Sequence, residues 1–311
     1  MEQLHTDRAR EEADAHRCDA PGISDASCPL PSPPRARRRL TGYFMNLLAL
    51  RCTAVPLASL GKPALVFSSH PDDECLGCGG TILRKKQAGA TVKIVHMTDG
   101  SRSHPARLIS HQQLSSIRAA EARDAAEALG ADEVYFLNFR DQALSASVAP
   151  AIERVAEIIR EEKPEDIFVP YSREPIGLAA DHVVTTSIVL SALRSYQASD
   201  RVIVWEYPVW FWIHWPWVGA GKGLIPRRTV AVNSLRHSFG LRAFWELRHT
   251  VDISDILPRK IAALCQHRTQ MTKFLPKAEW TTLPDILGGQ FLECFYSGHE
   301  FFRCSLYRRH G

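Results

Sequence analysis

The sequence predicts an α/β fold: an open, mostly parallel, Rossmann-like sheet with helices on both faces. Apolar runs of strand length alternate with helical patterns from Lys62 onward, and such alternation is typical of parallel strands joined by right-handed crossovers. The chain has 311 residues, of which 45% are hydrophobic, so it can bury a substantial core. Polar residues able to do chemistry follow several of the predicted strands, where open parallel sheets bind their ligands.

The predicted elements follow one another in a regular order. Short apolar runs indicate strands, and longer segments with a polar and an apolar face indicate helices. The strands are predicted at residues 64–67, 92–97, 134–137, 167–169 and 202–205, and the helices at residues 79–88, 114–129, 149–162 and 181–195.

Composition divides the chain into a tail and one domain. Residues 1–39 mix charges with Ser, Pro and Ala and are predicted to be a disordered tail, because they cannot bury enough apolar area to offset their ordering entropy. Residues 40–311 are predicted to form a single domain. The apolar stretch at 40–52 is too short to span a bilayer. We expect it to dock on the domain, and contact with a membrane surface is the alternative.

Charge and cysteine usage exclude some classes of function. The net charge is +4, and Arg35 to Arg39 form the one basic run, so no nucleic-acid partner is expected. Eight cysteines are scattered without the spacing of a disulfide scaffold, and the first residues do not follow the order of a signal peptide. We therefore expect a cytoplasmic protein, with a membrane-peripheral location as the variant.

The first predicted strand is followed by the segment SSHPDDECLGCGG. Its three adjacent acids, Asp72 to Glu74, would repel one another beside a buried strand unless positive groups face them. His70 and Asp73 are three residues apart at a strand-to-helix turn, and His182 opens a helix after a later strand. Two histidines and one carboxylate form the pattern of a catalytic zinc site, and they also suit non-haem iron. A metal would neutralise Asp73 and leave Asp72 to act as a general base. The alternative is a solvated acidic turn that favours a helix N-terminus.

Several ordered motifs resemble the LmbE/PIG-L family of zinc-dependent N-deacetylases. The resemblance runs from about Lys62 to Ser195, with a weaker similarity at residues 260–270. The motifs are HPDDE, LGCGGTI, TDG, RAAEA and the Asp181-His182 pair.

The resemblance implies a zinc cofactor held by His70, Asp73 and His182. It implies that Asp72 is the base that activates water, and that Asp181 orients a neighbouring group in the second shell of ligands.

Three further residues are predicted to contact the substrate: Arg118, Asp141 and Arg173. For Arg118 the alternative is a surface ion pair with Glu121, one helical turn later. The implied substrate is an acetamido sugar or glycoconjugate.

One position departs from the family pattern. Family members often carry a histidine three residues before the last ligand, where this chain has Ala179. That histidine stabilises the oxyanion, and the reaction still needs such donors. Arg173, His104 and His267 are the candidates to replace it.

Two other features carry weaker signals. Cys75 and Cys78 form a CxxC without a second pair, so we expect small residues that pack a helix against the sheet rather than a structural zinc site. The tryptophan-rich residues 205–217 suit sugar stacking or a membrane interface, and equally core packing or a protein interface.

The predicted function is therefore zinc-dependent hydrolysis of the N-acetyl group of a GlcNAc-type sugar or glycoconjugate by a metal-activated water. Two alternatives remain open. One is a related metal-dependent amidase that acts on a thiol or glycopeptide conjugate. The other is an inactive, metal-containing sugar-binding protein, which the Ala179 departure and the tryptophans suggest.

Overall fold

A computed structural model describes residues 34–175, 179–195, 201–219, 225–277 and 279–307. Its centre is an eight-stranded sheet with the order β1-β7-β8-β6-β5-β2-β3-β4. The strands are β1 Thr53–Ala54, β2 Ala64–Ser68, β3 Val92–Thr98, β4 Glu133–Phe139, β5 Asp166–Pro170, β6 Val202–Tyr207, β7 His249–Asp252 and β8 His299–Tyr307.

The five strands from β2 to β6 are parallel, which confirms the predicted sheet. An extension beyond β6 was not predicted. β8 runs antiparallel to both β6 and β7, and β1 lies parallel to β7 at the edge. Strand-helix alternation did not predict β1, β7 and β8, because these strands are not separated by crossover helices of regular length.

Helices cover both faces of the sheet, as predicted. One core cluster joins the sheet to α1, α2 and α3, and a second cluster joins the opposite face to α4 and α5. The helices are α1 Arg35–Arg51, α2 Asp73–Gln87, α3 His111–Leu129, α4 Val148–Glu162, α5 Ala180–Ser195, α6 Arg227–Arg236, α7 Leu241–Glu246, α8 Leu257–Leu264, α9 Arg268–Met271 and α10 Gln290–Glu293.

Helix α2 begins six residues before its predicted start at Gly79, because it runs through the glycine-rich segment. Its first turn carries Asp73 and Glu74, and acids are favoured there by the helix dipole. The glycines allow close packing: a Cβ on Gly77 would lie 2.0 Å from the Tyr207 ring, and one on Gly80 would lie 2.6 Å from Ile253. Cys75 and Cys78 are buried free thiols in the same helix, which agrees with the packing interpretation.

Helix α1 docks on the domain. Met45 and Leu48 are buried against the core, and the Thr41 hydroxyl donates to the Trp217 carbonyl at 2.8 Å. Residues 35–39, assigned by the sequence to the tail, form the start of this helix, and the rest of the predicted tail up to residue 33 lies outside the described residues. Among the helices of the described chain, none combines the length and the apolar character that crossing a membrane requires.

Candidate active site

The turn between β2 and α2 brings the HPDDE residues to the carboxyl edge of the sheet. Asp72 adopts a φ of 132°, a conformation that is strained for any residue with a Cβ. Such strain persists where the surroundings impose it, and it clusters at functional sites. The HPDDE segment is therefore a sharp turn at the end of β2 and not a solvated loop. This turn carries His70, Asp72 and Asp73.

His70, Asp73 and His182 converge as predicted. Oδ2 of Asp73 lies 3.4 Å from Nδ1 of His70 and 3.3 Å from Nε2 of His182, and one ligand atom from each residue lies within 4.8 Å of the others. His182 is fully buried. Neither of its ring nitrogens has a hydrogen-bond partner among the described residues. A buried imidazole without a partner is costly, and a bound cation would remove that cost, so this donor set fits zinc.

Asp141 and Asp181 lie on the other side of His70. Nε2 of His70 is 3.1 Å from Oδ1 of Asp141 and 3.6 Å from Oδ2 of Asp181. Burial alone would lower the pKa of His70, but hydrogen bonds to these acids and to Asp73 raise it well above its usual value. Asp181 also accepts from the backbone N–H groups of Gln142 and Leu144, at 2.7 and 3.3 Å. It thus ties the loop after β4 to the start of α5, beside His70.

Asp72 and Asp73 are adjacent carboxyls with opposite pKa shifts. Burial raises the pKa of Asp72 to about 7, with Arg118 opposing the shift and Asp73 adding to it. Burial also acts to raise the pKa of Asp73, but attraction to His182 and His70 outweighs burial and lowers it. Environments that separate two neighbouring carboxyls in this way are typical of sites that need one acid as ligand and one as base.

Arg118 is a fully buried side chain that supports the Asp72 turn. Its Nη1 donates to the Gly100 carbonyl at 2.9 Å, and its Nη2 contacts the Pro71 carbonyl and lies 3.3 Å from Oδ2 of Asp72. The alternative of a surface ion pair with Glu121 is wrong. Glu121 accepts instead from the backbone N–H and hydroxyl of Thr269, at 2.9 and 2.6 Å.

Glu74, the third acid of the run, is satisfied from inside the protein. Its Oε1 lies 3.2 Å from Nε2 of His267, its Oε2 lies 3.8 Å from Nδ1 of His96, and it accepts from the Asp72 backbone N–H at 3.2 Å. Burial would raise the pKa of Glu74, but the two histidines lower it to about 2. The three acids therefore tolerate burial because each one faces positive or hydrogen-bonding groups of its own.

A pocket of about 260 Å³ opens over this cluster. Five predicted site residues line it: His70, Asp72, Asp73, Arg118 and Asp141. Sequence reasoning missed most of the remaining polar lining. It comes from the loop residues Ser103, Gln142, Thr281 and Thr282 and from Gln270 on α9.

Similarity to known proteins agrees with this arrangement. The family model described as PIG-L, GlcNAc-PI de-N-acetylase, matches residues 65–193. The 1D-myo-inositol 2-acetamido-2-deoxy-α-D-glucopyranoside deacetylase of Mycobacterium sp. (strain KMS) is 30% identical over 254 residues, which cover 72% of this chain and 80% of that protein. The chain belongs to the PIG-L family.

Two further similarities extend over most of the PIG-L chain. Diacetylchitobiose deacetylase of Thermococcus kodakarensis is 26% identical over 248 residues, covering 77% of this chain and 80% of that protein. The structure of N,N'-diacetylchitobiose deacetylase from Pyrococcus horikoshii has a TM-score of 0.56 at 21% identity, covering 88% of this chain and 94% of that one. The first confirms the predicted class of relatives, the deacetylases, and the second confirms the α/β fold.

The three candidates for the absent histidine of the PIG-L pattern occupy different places. His104 lines the pocket, stacks on Trp280 with ring centroids 3.9 Å apart, and places Nε2 3.0 Å from the Thr281 carbonyl. His267 lies behind Glu74 and is fully buried. Arg173 is exposed and paired with Glu246 at 2.7 Å, and it is not among the described residues that line the pocket.

Tryptophans of the segment 205–217 lie both in the pocket wall and in the protein core. Trp210 lines the pocket and stacks on Phe291, with centroids 4.9 Å apart. Trp212 and Trp217 are buried and pack edge to face at 4.9 Å. Core packing therefore accounts for much of the segment, while Trp210 presents an aromatic surface beside the site.

A second cavity, of about 310 Å³, lies beside strands β1, β5, β6, β7 and β8. Phe168, Trp205 and Phe302 give it a largely apolar lining. Asp166, which also lines it, pairs with the buried Lys85 at 2.6 Å and accepts from the Trp205 indole N–H at 3.0 Å. The convergent polar groups that mark an active site lie in the other cavity.

Proposed function

We propose that this PIG-L chain is a zinc-dependent hydrolase that removes the N-acetyl group from a GlcNAc-type sugar or glycoconjugate. The observation that carries the proposal is the convergence of His70, Asp73 and the unpartnered His182 at one point, with Asp72 beside them in an open pocket. Membership of a family whose named relatives are deacetylases supports the same reaction.

Zinc would be held by His70, Asp73 and His182. When bound, it supplies Lewis-acid polarisation of the amide carbonyl and activation of water. A second set of donors, His70 with Asp141 and Asp181, lies on the other side of the same imidazole. We assign the metal to the first set because neither ring nitrogen of His182 makes a hydrogen bond among the described residues, whereas Asp181 already accepts from two backbone N–H groups.

Asp72 is proposed as the general base. It accepts a proton from the attacking water as the oxygen of that water bonds to the carbonyl carbon. The same proton is then passed to the amide nitrogen as the C–N bond breaks, which gives acetate and the free amine. Arg118 keeps the Asp72 carboxylate in place from behind and lines the pocket. His104 is the pocket-lining candidate for the donor that the Ala179 position lacks.

The acetamido-sugar substrate is proposed from three supports. The relatives named above carry acetamidoglucopyranoside and diacetylchitobiose in their names. The pocket combines carboxylate, amide and hydroxyl groups suited to sugar hydroxyls, and Trp210 offers a face for stacking. Arg118 and Asp141 remain proposed substrate contacts, whereas Arg173 lies away from the pocket and we leave it out. The cytoplasmic location, with its membrane-peripheral variant, stays a prediction from the sequence.

The test is amine and acetate release from a panel of N-acetylglucosaminides by the zinc-loaded protein, compared with Asp72→Asn. We expect loss of about 10²–10⁴-fold in the variant, the range attributed to a general base, with zinc content unchanged. Release of a longer acyl or amino-acid fragment would favour the amidase alternative. Zinc bound in full with no turnover of any substrate would favour the sugar-binding alternative.

A further inference from the structure

Helix α1 is apolar on two faces, and one of them is exposed. Its inner face buries Thr41, Met45 and Leu48. Its outer face carries Tyr43, Leu47 and Leu50 at the spacing of one helical stripe, and Leu50 is 83% exposed. Docking on the domain therefore buries the inner face of the helix and leaves the outer apolar stripe exposed.

The outer stripe continues onto neighbouring elements. Phe44, next to Tyr43, lies 5.8 Å from the ring of Trp215, and Trp215 lies 6.4 Å from the ring of Phe239. Phe239 leads into α7, which packs against α1. The exposed members of this surface, called here the aromatic platform, are Tyr43, Leu47, Leu50, Trp215, Phe239, Leu241 and Trp245.

The platform presents its large side chains to solvent. Trp245, four residues after Leu241 on α7, is 66% exposed, and Phe239 is 52% exposed. Phe239 holds a φ of 51° directly after Ser238 at 50°, a strained conformation for a bulky residue. Large exposed apolar side chains on neighbouring elements mark an interaction surface.

The charges around the platform are overwhelmingly positive. Helix α1 contains five arginines and no acid, and one of the five, Arg38, is paired with Glu293 at 2.7 Å. The segment 225–248 contains five more arginines, and its one acid, Glu246, is bonded to Tyr171 and Arg173 and lies 3.5 Å from Nε of Arg242. On α6, Arg228 lies on the same stripe as the exposed Val232 and Leu235. A partner that binds the aromatic platform must therefore offer apolar groups to its exposed side chains and negative charge to the surrounding arginines.

We propose that the aromatic platform docks this protein on an anionic lipid bilayer. Trp and Tyr rings favour the headgroup level, exposed leucines insert at the acyl boundary, and each arginine near the surface is attracted to acidic headgroups. Arginine also keeps its charge in water while its stem covers apolar surface. The proposal does not depend on the proposed hydrolysis, because none of the platform residues lines the catalytic pocket.

The test is co-sedimentation of the full chain with phosphatidylcholine vesicles, with and without phosphatidylglycerol. We expect binding to the anionic vesicles that weakens as salt is added, because surface charges are screened. The double variant Leu50→Ser/Trp245→Ser should bind at least about tenfold more weakly, since it removes two large apolar groups from the interface. Val148→Ser is the matched control, because Val148 is an exposed apolar residue on α4, across the sheet.

Sedimentation velocity without vesicles completes the test. A monomer whose vesicle binding is lost in the double variant and kept in the control supports the proposal. Absence of binding to anionic vesicles overturns it, as does equal binding by the double variant. A dimer of the native chain that dissociates in the double variant also overturns it, because a second copy would then cover the platform. Circular dichroism of each variant verifies that the fold is intact.

Discussion

Two regions of the molecule each hold a close pair of histidines, and the surroundings of the two pairs are opposite. His70 and His182, with ring centroids 5.4 Å apart, share the Asp73 carboxylate at the carboxyl edge of the sheet. His214 and His237, 4.7 Å apart, pack edge to face on Phe211 within the aromatic segment.

The difference lies in what faces each ring. Nδ1 of His214 lies 2.5 Å from the Phe211 carbonyl, and Nε2 accepts from the Trp217 indole N–H at 3.1 Å. These two bonds fix a neutral imidazole protonated at Nδ1. Burial, then the nearby His237, lowers the pKa of His214 to about 3. Burial, then Arg242, lowers the pKa of His237 to about 4. Buried histidines beside carboxylates can hold a cation, whereas buried histidines among aromatic rings are core residues.

The largest expected effect comes from exchanging one histidine of each pair for glutamine. His182→Gln should lose stoichiometric zinc and reduce hydrolysis by more than about 100-fold, since even the loss of a group that supports a metal ligand costs 10–100-fold. His237→Gln should keep both zinc and activity. Zinc content by mass spectrometry and amine release would measure this. A full zinc content in His182→Gln would contradict the assignment of His182 as a zinc ligand.

Metal removal should lower the stability of the protein through the His70–His182 region and not through the His214–His237 region. Treatment with a chelator should lower the melting temperature of the native chain, and zinc at about 100 times its dissociation constant should restore about 3 kcal/mol. His182→Gln should show no such recovery, whereas His237→Gln should recover as the native chain does. Scanning fluorimetry with titrated zinc measures the difference. An equal zinc response in His182→Gln would place the ion elsewhere.

Acid should destabilise the aromatic pair. Because the folded pKa values of His214 and His237 lie below the unfolded value of about 6.5, the unfolded chain binds more protons between pH 6.5 and pH 4. Their contribution is therefore complete above pH 6.5 and is lost as the pH falls. From pH 7 to pH 5 we expect a loss of about 2 kcal/mol in the free energy of unfolding for each histidine.

Urea unfolding at both pH values, on the native chain and on His237→Phe, isolates one of the two contributions. The variant should lose less stability between pH 7 and pH 5 than the native chain does. Identical losses would show that His237 does not titrate in this range.

The smallest effect is expected from His237→Phe at pH 7. Neither ring nitrogen of His237 has a hydrogen-bond partner in the described part of the chain, so an apolar ring of similar shape should change the free energy of unfolding by less than about 1 kcal/mol. His214→Phe should cost about 1–2 kcal/mol more, because it leaves the buried Trp217 indole N–H without its acceptor. Equal costs for the two variants would contradict the contacts assigned to His214.

Much of the fold and the centre of the site were predictable because their signals are local. Strand-helix alternation indicated the five parallel strands, and the rule that ligands bind beyond strand ends placed His70, Asp73 and His182 together. The start of α2 was predicted too late because glycines usually end a helix, whereas here Gly77 and Gly80 leave room for Tyr207 and Ile253. Arg173 was placed near the site by sequence, but its partner Glu246 holds it outside.

The sequence by itself determined the family, the parallel core of the sheet and the HPDDE turn, because each depends on residues close together in the chain. Tertiary structure alone decided what surrounds them. It placed His267 against Glu74, 193 residues away, and His104 beside Thr281, 177 residues away. It also decided which face of α1 is buried and which is exposed. A linear pattern shows that a helix is apolar, but only packing between distant elements fixes which side meets the core.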